Sequence, residues 1–481
     1  MKIARTGTLF IAASSLLVAP AWARVFLRWT QSVVPAVEVL GVNGLAIPWN
    51  ANATQMGERA RRLGYDVYLE VGLQQAPEAA AAAQAFSGIM LDPGGATRVE
   101  AEKAGANLRR QHPGLSILVV DHSAKQPQMR GHSIVSRQGV LQITSPTEQP
   151  WLDCNLALVG YDRLLHPEQA PLYQFDWELS EPLQQQEGPT VDDYELAISE
   201  AGAFHADLIL NLPEDLQTRL ADVEPRGMAL WAKVKPYLRF VQSDSEQLQP
   251  QADVGVVADG DYNWFEPANL MARHNIPFRV LSPAQLNGAA LHNLDLLVAF
   301  AMPDNYAVAA VGQFASDGGT AVVVDVKGNY AWHSAKPIRK NDRMVEYAVG
   351  KGKVIELLNA VDDPDAFASD IRRLLDRRTI LLSLWNALTT IAVPYSKPGS
   401  AEMLVEMVNY AQDPMTVQVQ VKGNFGSVRY QSPGTGCCQQ LKPFRENGFT
   451  QFVVPRLVVA GRIYLTAAPA VEEGITARPK P

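Results

Sequence analysis

Cysteine is scarce in this sequence: three in 481 residues, namely Cys154, Cys437 and Cys438, the last two adjacent. A disulfide-stapled secreted scaffold has more cysteines, spaced apart. A bond between neighbours is strained, so stability must come from hydrophobic cores, which a chain of this length can build. No Cys/His metal spacing occurs. Charge is also thin, at 19% of residues with a formal net charge of −8. That balance excludes a general nucleic-acid binder, which concentrates Lys and Arg to displace counterions from phosphates. The longest basic run, "RRLLDRR", sits in a helix-like segment. The G-x-S-x-G elbow, the P-loop, G-x-G-x-x-G and H-E-x-x-H are all missing. "DGDYN" (Asp259, Asp261, Asn263) opens like a calcium loop, but Trp264 stands where the loop needs Gly and Leu270 where it needs Glu. No metal and no cofactor is expected.

Long apolar runs are missing too, with one short exception at the start. In "MKIARTGTLFIAASSLLVAPAWARVFLRW", Lys2 and Arg5 precede the apolar stretch "TLFIAASSLLVAPA", and "AWA" is a small-x-small cleavage site. This pattern is a secretory signal peptide over residues 1–23, cut after Ala23, and it implies a periplasmic or extracellular protein. The alternative, a single membrane anchor, needs about 20 apolar residues, more than are present. No cysteine follows the leader to carry a lipid.

What is present is alternation. Eight apolar runs closed by polar or turn residues read as buried strands: 24–30, 44–50, 66–71, 87–93, 115–121, 139–145, 171–179 and 206–213. Helical patterns lie between them. "ATQMGERARRLG" sets Met56, Ala60 and Leu63 on one face, and "TVDDYELAISEAGAFHA" opens with Thr190 and Asp193 in capping-box spacing. The fifth crossover is not convincingly helical. Residues 24–242 therefore suggest a (β/α)8 TIM-like barrel, with an open doubly wound sheet as the alternative. A polar linker, 243–252, precedes a second alternating set over 253–392 that reads as a flavodoxin-like three-layer α/β domain with further helices at its end, "DAFASDIRRLLDRR" and "TILLSLWNALTTI". From 393 to 466 the period becomes two, the mark of a small antiparallel β-domain. The tail, 467–481, reads as disordered.

The later parts carry a family resemblance. "NLDLLVAFAMPDNYAVAAVGQFASDGGTAVVVD" and "LVEMVNYAQDPMTVQVQVKGNFGSVRYQSP", followed by "VVPRLVVAGRIYL", resemble the amidotransferase-like middle domain and C-terminal β-domain of multidomain secreted glycoside hydrolases of the beta-galactosidase type. The resemblance covers the layout of residues 250–466. It implies a glycan substrate, either poly- or oligosaccharide, and a middle domain that packs on the barrel or mediates self-association into a homo-oligomer. The barrel departs from that family's pattern. An Asn-Glu pair should end the fourth strand, whereas "MLDPG" ends it here, with Asp92 in place. The seventh ends in "FDWE". The middle domain has no cysteine, which excludes thiol chemistry there. Its first loop, "ADGDYNWFEP", is acidic and would repel a nucleotide phosphate.

Barrel enzymes work at the C-terminal ends of their strands. In "APLYQFDWELSEPL" the residues Gln174, Asp176 and Glu178 share one strand face, which is tolerable if that face borders a wet cleft. Glycoside hydrolysis needs two carboxylates flanking the bond. The candidates are Asp176 as nucleophile or base, Glu178 second, and Asp92 opposite them as acid. For substrate binding the candidates are Trp29, Trp49, Asn50, Glu70, Asp121, His122, Gln174, Trp177 and Asn211. Each has a plainer role available. "DPG" is a turn signal that would use Asp92, the tryptophans could be core, and His122 could be a hydrogen-bonded structural residue. An inward Glu70 is costly unless paired, and Arg28 is placed to pair with it. The sequence thus predicts a secreted carbohydrate-active protein: a glycoside hydrolase with its site at the C-terminal face of the barrel, or else a non-catalytic glycan-binding pseudoenzyme of the cell envelope.

Overall fold

The computed structural model describes residues 23–120, 136–137, 140–141, 154–175, 189–242 and 248–467, apart from single positions at 95, 97, 166, 168, 261, 326, 377, 398 and 412. Among these, no helix is long and apolar enough to cross a membrane.

The first sheet is wholly parallel. Its strands are β1 (Val25–Arg28), β2 (Gly44–Pro48), β3 (Asp66–Gly72), β4 (Gly88–Asp92), β5 (Ser116–Val119), β6 (Leu172–Phe175) and β7 (Asp207–Asn211). They lie in the order β5-β4-β3-β2-β1-β7-β6. The first strand therefore pairs with both the second and the last, Phe26 facing Gly44 on one side and Ile209 on the other. That wrap-around pairing is the arc of a ring, and it gives a curled sheet of the TIM-barrel kind.

Seven of the eight expected strands take their places in this arc. The run 139–145 does not, as far as it is described. Val140–Leu141 pairs antiparallel with Ser136–Arg137. Two residues ending in Gly139 separate these pieces, which favours a local hairpin over a distant parallel partner.

The crossover helices follow the sequence closely. Ala53–Arg62 buries Met56, Gly57 and Ala60, but Leu63 caps it and is exposed, contrary to the face expected. Val191–Ala203 starts at the anticipated capping box, with Asp193 Oδ2 accepting from the Thr190 N–H at 2.7 Å. Cys154 is buried and donates to Asn269 Oδ1 at 2.9 Å, tying this part to the next.

The second sheet contains β8 (Val254–Val257), β9 (Phe278–Leu281), β10 (Leu296–Ala299), β11 (Thr320–Val324), β12 (Arg339–Lys340), β13 (Met344–Val349) and β14 (Gly352–Leu357). Its order is β9-β8-β10-β11-β14-β13-β12, with the first five strands parallel and the last two antiparallel. Pro364–Leu374 packs on it through Phe367, Ala368 and Ile371.

The segment "TILLSLWNALTTI", expected to be helical, is instead extended. Leu382–Trp385 pairs with Met415–Lys422, and Thr390–Ser396 pairs with Met403–Asn409. Its helix-like spacing of leucines loses to sheet partners that bury Leu382 and Ile391. A six-stranded and a four-stranded antiparallel sheet then enclose the last core. Cys437 and Cys438 are disulfide-bonded to each other, a bond the sequence had argued against.

Buried polar contacts join this last part to the first. The Tyr395 hydroxyl donates to the Ala203 carbonyl at 2.9 Å, Tyr410 bonds Glu200, and Arg462, paired with Glu406 at 2.7 Å inside the last part, donates through Nη1 to the Phe240 carbonyl at 3.4 Å. Burial lowers the pKa of His205, which stacks on Tyr395 in the same joint.

Candidate functional site

Each barrel strand alternates strictly. One set of side chains, including Leu27, Leu45, Leu69, Ile89 and Leu210, packs outward in the large core under the helices. The other set, Phe26, Ala46, Tyr68, Met90, Leu118, Val120, Leu172 and Ile209, forms a separate buried cluster inside the curl.

A strand repeats its face every second residue, so the next inward positions toward the C-terminal ends follow at once. They are Arg28, Pro48, Glu70, Asp92, Gln174 and Asn211, and all six are half-buried. The interior is thus an apolar layer topped by a polar one. Register brings these positions together: Arg28 lies opposite Asn211, and Pro48 opposite Glu70.

The charges in this layer are engaged. Arg28 Nε donates to Glu70 Oε2 at 2.5 Å, the pairing that the sequence suggested. Their side chains are 34% and 15% exposed, so the pair meets solvent. Asp92 Oδ1 accepts the Gly94 N–H at 2.7 Å, the turn that "DPG" encodes.

The remaining candidates separate cleanly. Trp29 is fully buried and donates to the Val33 carbonyl at 3.0 Å, so it is core and not rim. It follows inward Arg28 and therefore points outward, toward the helices. Trp49 is half-buried against that same core. Asn50 is exposed, and its Oδ1 accepts the Asn52 N–H at 2.8 Å just before the helix Ala53–Arg62. Asp121, His122, Asp176, Trp177 and Glu178 lie outside the described residues.

One rim residue escaped the sequence reading. Gln217 is buried; it accepts from the Thr30 N–H at 2.9 Å and donates to the Leu212 carbonyl at 2.9 Å, fastening the loop after β1 to the loop after β7. A glutamine in a solvated-looking helix gives no sequence signal for that role. The described residues contain no cluster of His, Cys, Asp and Glu fit to hold a metal ion.

No protein-family model and no curated protein sequence matches this chain. Solved structures do. Alpha-L-fucosidase isoenzyme 2 from Paenibacillus thiaminolyticus matches with a TM-score of 0.60 at 11% identity, over 93% of this chain and 100% of that one. Beta-galactosidase from Bacillus circulans sp. alkalophilus matches at 0.59 and 8% identity, over 92% and 99%. The beta-galactosidase of Halorubrum lacusprofundi matches at 0.52 and 12% identity, over 90% and 99%. The fold is that of the barrel glycoside hydrolases. The resemblance drawn from the later segments therefore extends in architecture over nearly the whole chain.

Proposed function

We propose that the protein is a secreted, carbohydrate-active protein that takes a poly- or oligosaccharide at the C-terminal mouth of its barrel. The observation that carries this reading is the half-buried polar layer, Arg28, Glu70, Asp92, Gln174 and Asn211, set on an apolar floor in a fold shared with glycosidases. Amides and an ion pair bordering solvent suit sugar hydroxyls, which need both donors and acceptors.

Hydrolysis, on this reading, falls to Asp176 and Glu178 beyond the end of β6. Two carboxylates about 5–10 Å apart across the bond are required, and Glu70 and Asp92 already have partners. A second reading, binding without cleavage, is favoured by that same engagement of Glu70 and Asp92.

We place the secretory leader at residues 1–23 and the barrel at 24–242, followed by an amidotransferase-like unit from 253. The last boundary moves forward to about residue 381, because Leu382–Trp385 pairs within the terminal sheets. Self-association through the middle unit belongs to the same proposal, and light scattering on the purified protein tests it.

The deciding experiment is a glycan array followed by hydrolysis assays on every hit, with Asp176→Ala and Glu178→Ala as controls. Cleavage lost in the variants with binding kept supports the hydrolase. Binding without cleavage by the unsubstituted protein supports the second reading. No binding to any glycan overturns both.

A further inference from the structure

The opposite end of the barrel holds an ionic device that a glycan site does not use. Asp207 opens β7 and is wholly buried. Its Oδ2 accepts Arg24 Nε at 2.9 Å and Nη2 at 2.5 Å, and its Oδ1 accepts the main-chain nitrogen of Arg24 at 2.8 Å. Burial pushes the Asp207 carboxyl upward, and the Arg24 guanidinium and N–H pull it back. With three donors on two oxygens, the carboxylate is the form that the geometry fits.

The donor nitrogen belongs to the residue that follows the small-x-small site "AWA". We propose that Asp207 is the receptor for the N-terminus of the mature chain. A signal peptidase hydrolyses the Ala23–Arg24 bond. The water oxygen completes the Ala23 carboxylate, and both water protons go to the Arg24 nitrogen, which already carries one. The resulting α-ammonium binds Asp207 Oδ1 where the Arg24 amide now binds. This rests on the secretory reading of the leader.

Three features argue for it. First, the position of the Arg24 nitrogen does not depend on the residues before it. The Leu208 N–H donates to the Arg24 carbonyl at 2.8 Å and Val25 faces Leu208 in register, so β7 holds Arg24 beside Asp207. Second, Ala23 is only 5% exposed and lines a cavity of about 590 Å3 at the base of the barrel. Its peptide bond is therefore out of a protease's reach once the barrel has formed, so cutting precedes folding, as export requires. Third, the guanidinium is anchored on its own, with Nε and Nη2 both on Asp207 Oδ2, which leaves Oδ1 for the main-chain nitrogen. The Tyr68 hydroxyl accepts Arg24 Nη1 at 3.0 Å and completes the cluster.

The test uses the full-length precursor made in a secreting bacterial host. Mass spectrometry of the exported protein is expected to find Arg24 first. An amine-acylating reagent near neutral pH, where an α-amine of pKa about 8 reacts ahead of lysine, is then applied to native and urea-unfolded samples. The α-amine is expected to react at least about tenfold more slowly in the native protein, and Asp207→Asn is expected to abolish that protection. If Asp207→Asn does not fold, the native-to-unfolded contrast in the unsubstituted protein decides alone. Equal rates with Arg24 first overturn the proposal and leave secretion standing. An uncut chain, or one cut elsewhere, overturns the leader reading and the proposal together.

Discussion

The two ends of the barrel carry the same pairing in different settings. Both start from β1, whose inward positions run Arg24, Phe26, Arg28. At the base Arg24 meets Asp207 of β7, and at the mouth Arg28 meets Glu70 of β3. The base acid is 1% exposed in its side chain and holds three hydrogen bonds, whereas the mouth acid is 15% exposed and holds one arginine. A buried ion pair is costly to break because the surviving charge is stranded. A solvent-facing pair contributes little to stability and is free to exchange its partner for a ligand. The same side-chain chemistry thus serves to hold the ring at one end and to present polar atoms at the other.

Removing each acid separates these roles. Asp207→Ala should cost about 3 kcal/mol, at the low end for a buried pair because the half-exposed Arg24 can turn to water. Urea unfolding measures it, and a loss below about 1 kcal/mol would erase the contrast. Asp253 supplies a buried acid of another kind, held by the Leu381 N–H at 3.0 Å. Burial raises its carboxyl to about 6. The folded protein then holds this proton more tightly than the unfolded chain, whose value is about 3.9. Its contribution is full below about pH 4 and is lost as pH rises through about 6, by about 2–3 kcal/mol. Urea midpoints at pH 4 and pH 6.5 should show that slope, and Asp253→Asn should flatten it.

Gly88 tests the packing of the base. A Cβ there would lie 2.2 Å from the Ser116 carbonyl oxygen and 2.7 Å from the Tyr68 ring. Gly88→Ala should therefore cost about 2 kcal/mol, read as a lower melting temperature with glycan binding at the mouth retained. The smallest stability effect belongs to Glu70→Gln, about 1 kcal/mol or less. Its signature should be weakened glycan binding on the array. Unchanged binding together with a large stability loss would show that the mouth pair is structural after all.

Much of this was legible in advance, for physical reasons. Strands buried on both faces read as short apolar runs, so β1 to β5, β6 and β7 stood out, and the capping box at Thr190 marked a helix start by its own chemistry. The Arg28–Glu70 pair was readable because an inward acid demands a partner and the alternation of β1 supplied one. Asp207 was overlooked. It sits inside "HADLILNLP" as the polar start of an apolar run, and nothing nearby in sequence pairs with it; Arg24 is 183 residues away. "TILLSLWNALTTI" misled because leucine spacing is ambiguous between helix and strand until a partner strand is known. Trp29 was placed at the rim by its position at a strand end, but the parity of β1 turns it into the core.

The sequence by itself determined the alternation of strands and helices and the face on which each strand's polar residues fall, because these follow from local periodicity and side-chain solvation. Only the tertiary structure decided which strands meet, that β1 lies between β2 and β7, and hence that Asp207 reaches Arg24 and Glu70 reaches Arg28. Those contacts depend on closing a curled sheet across the length of the chain, and no local pattern of residues encodes that closure.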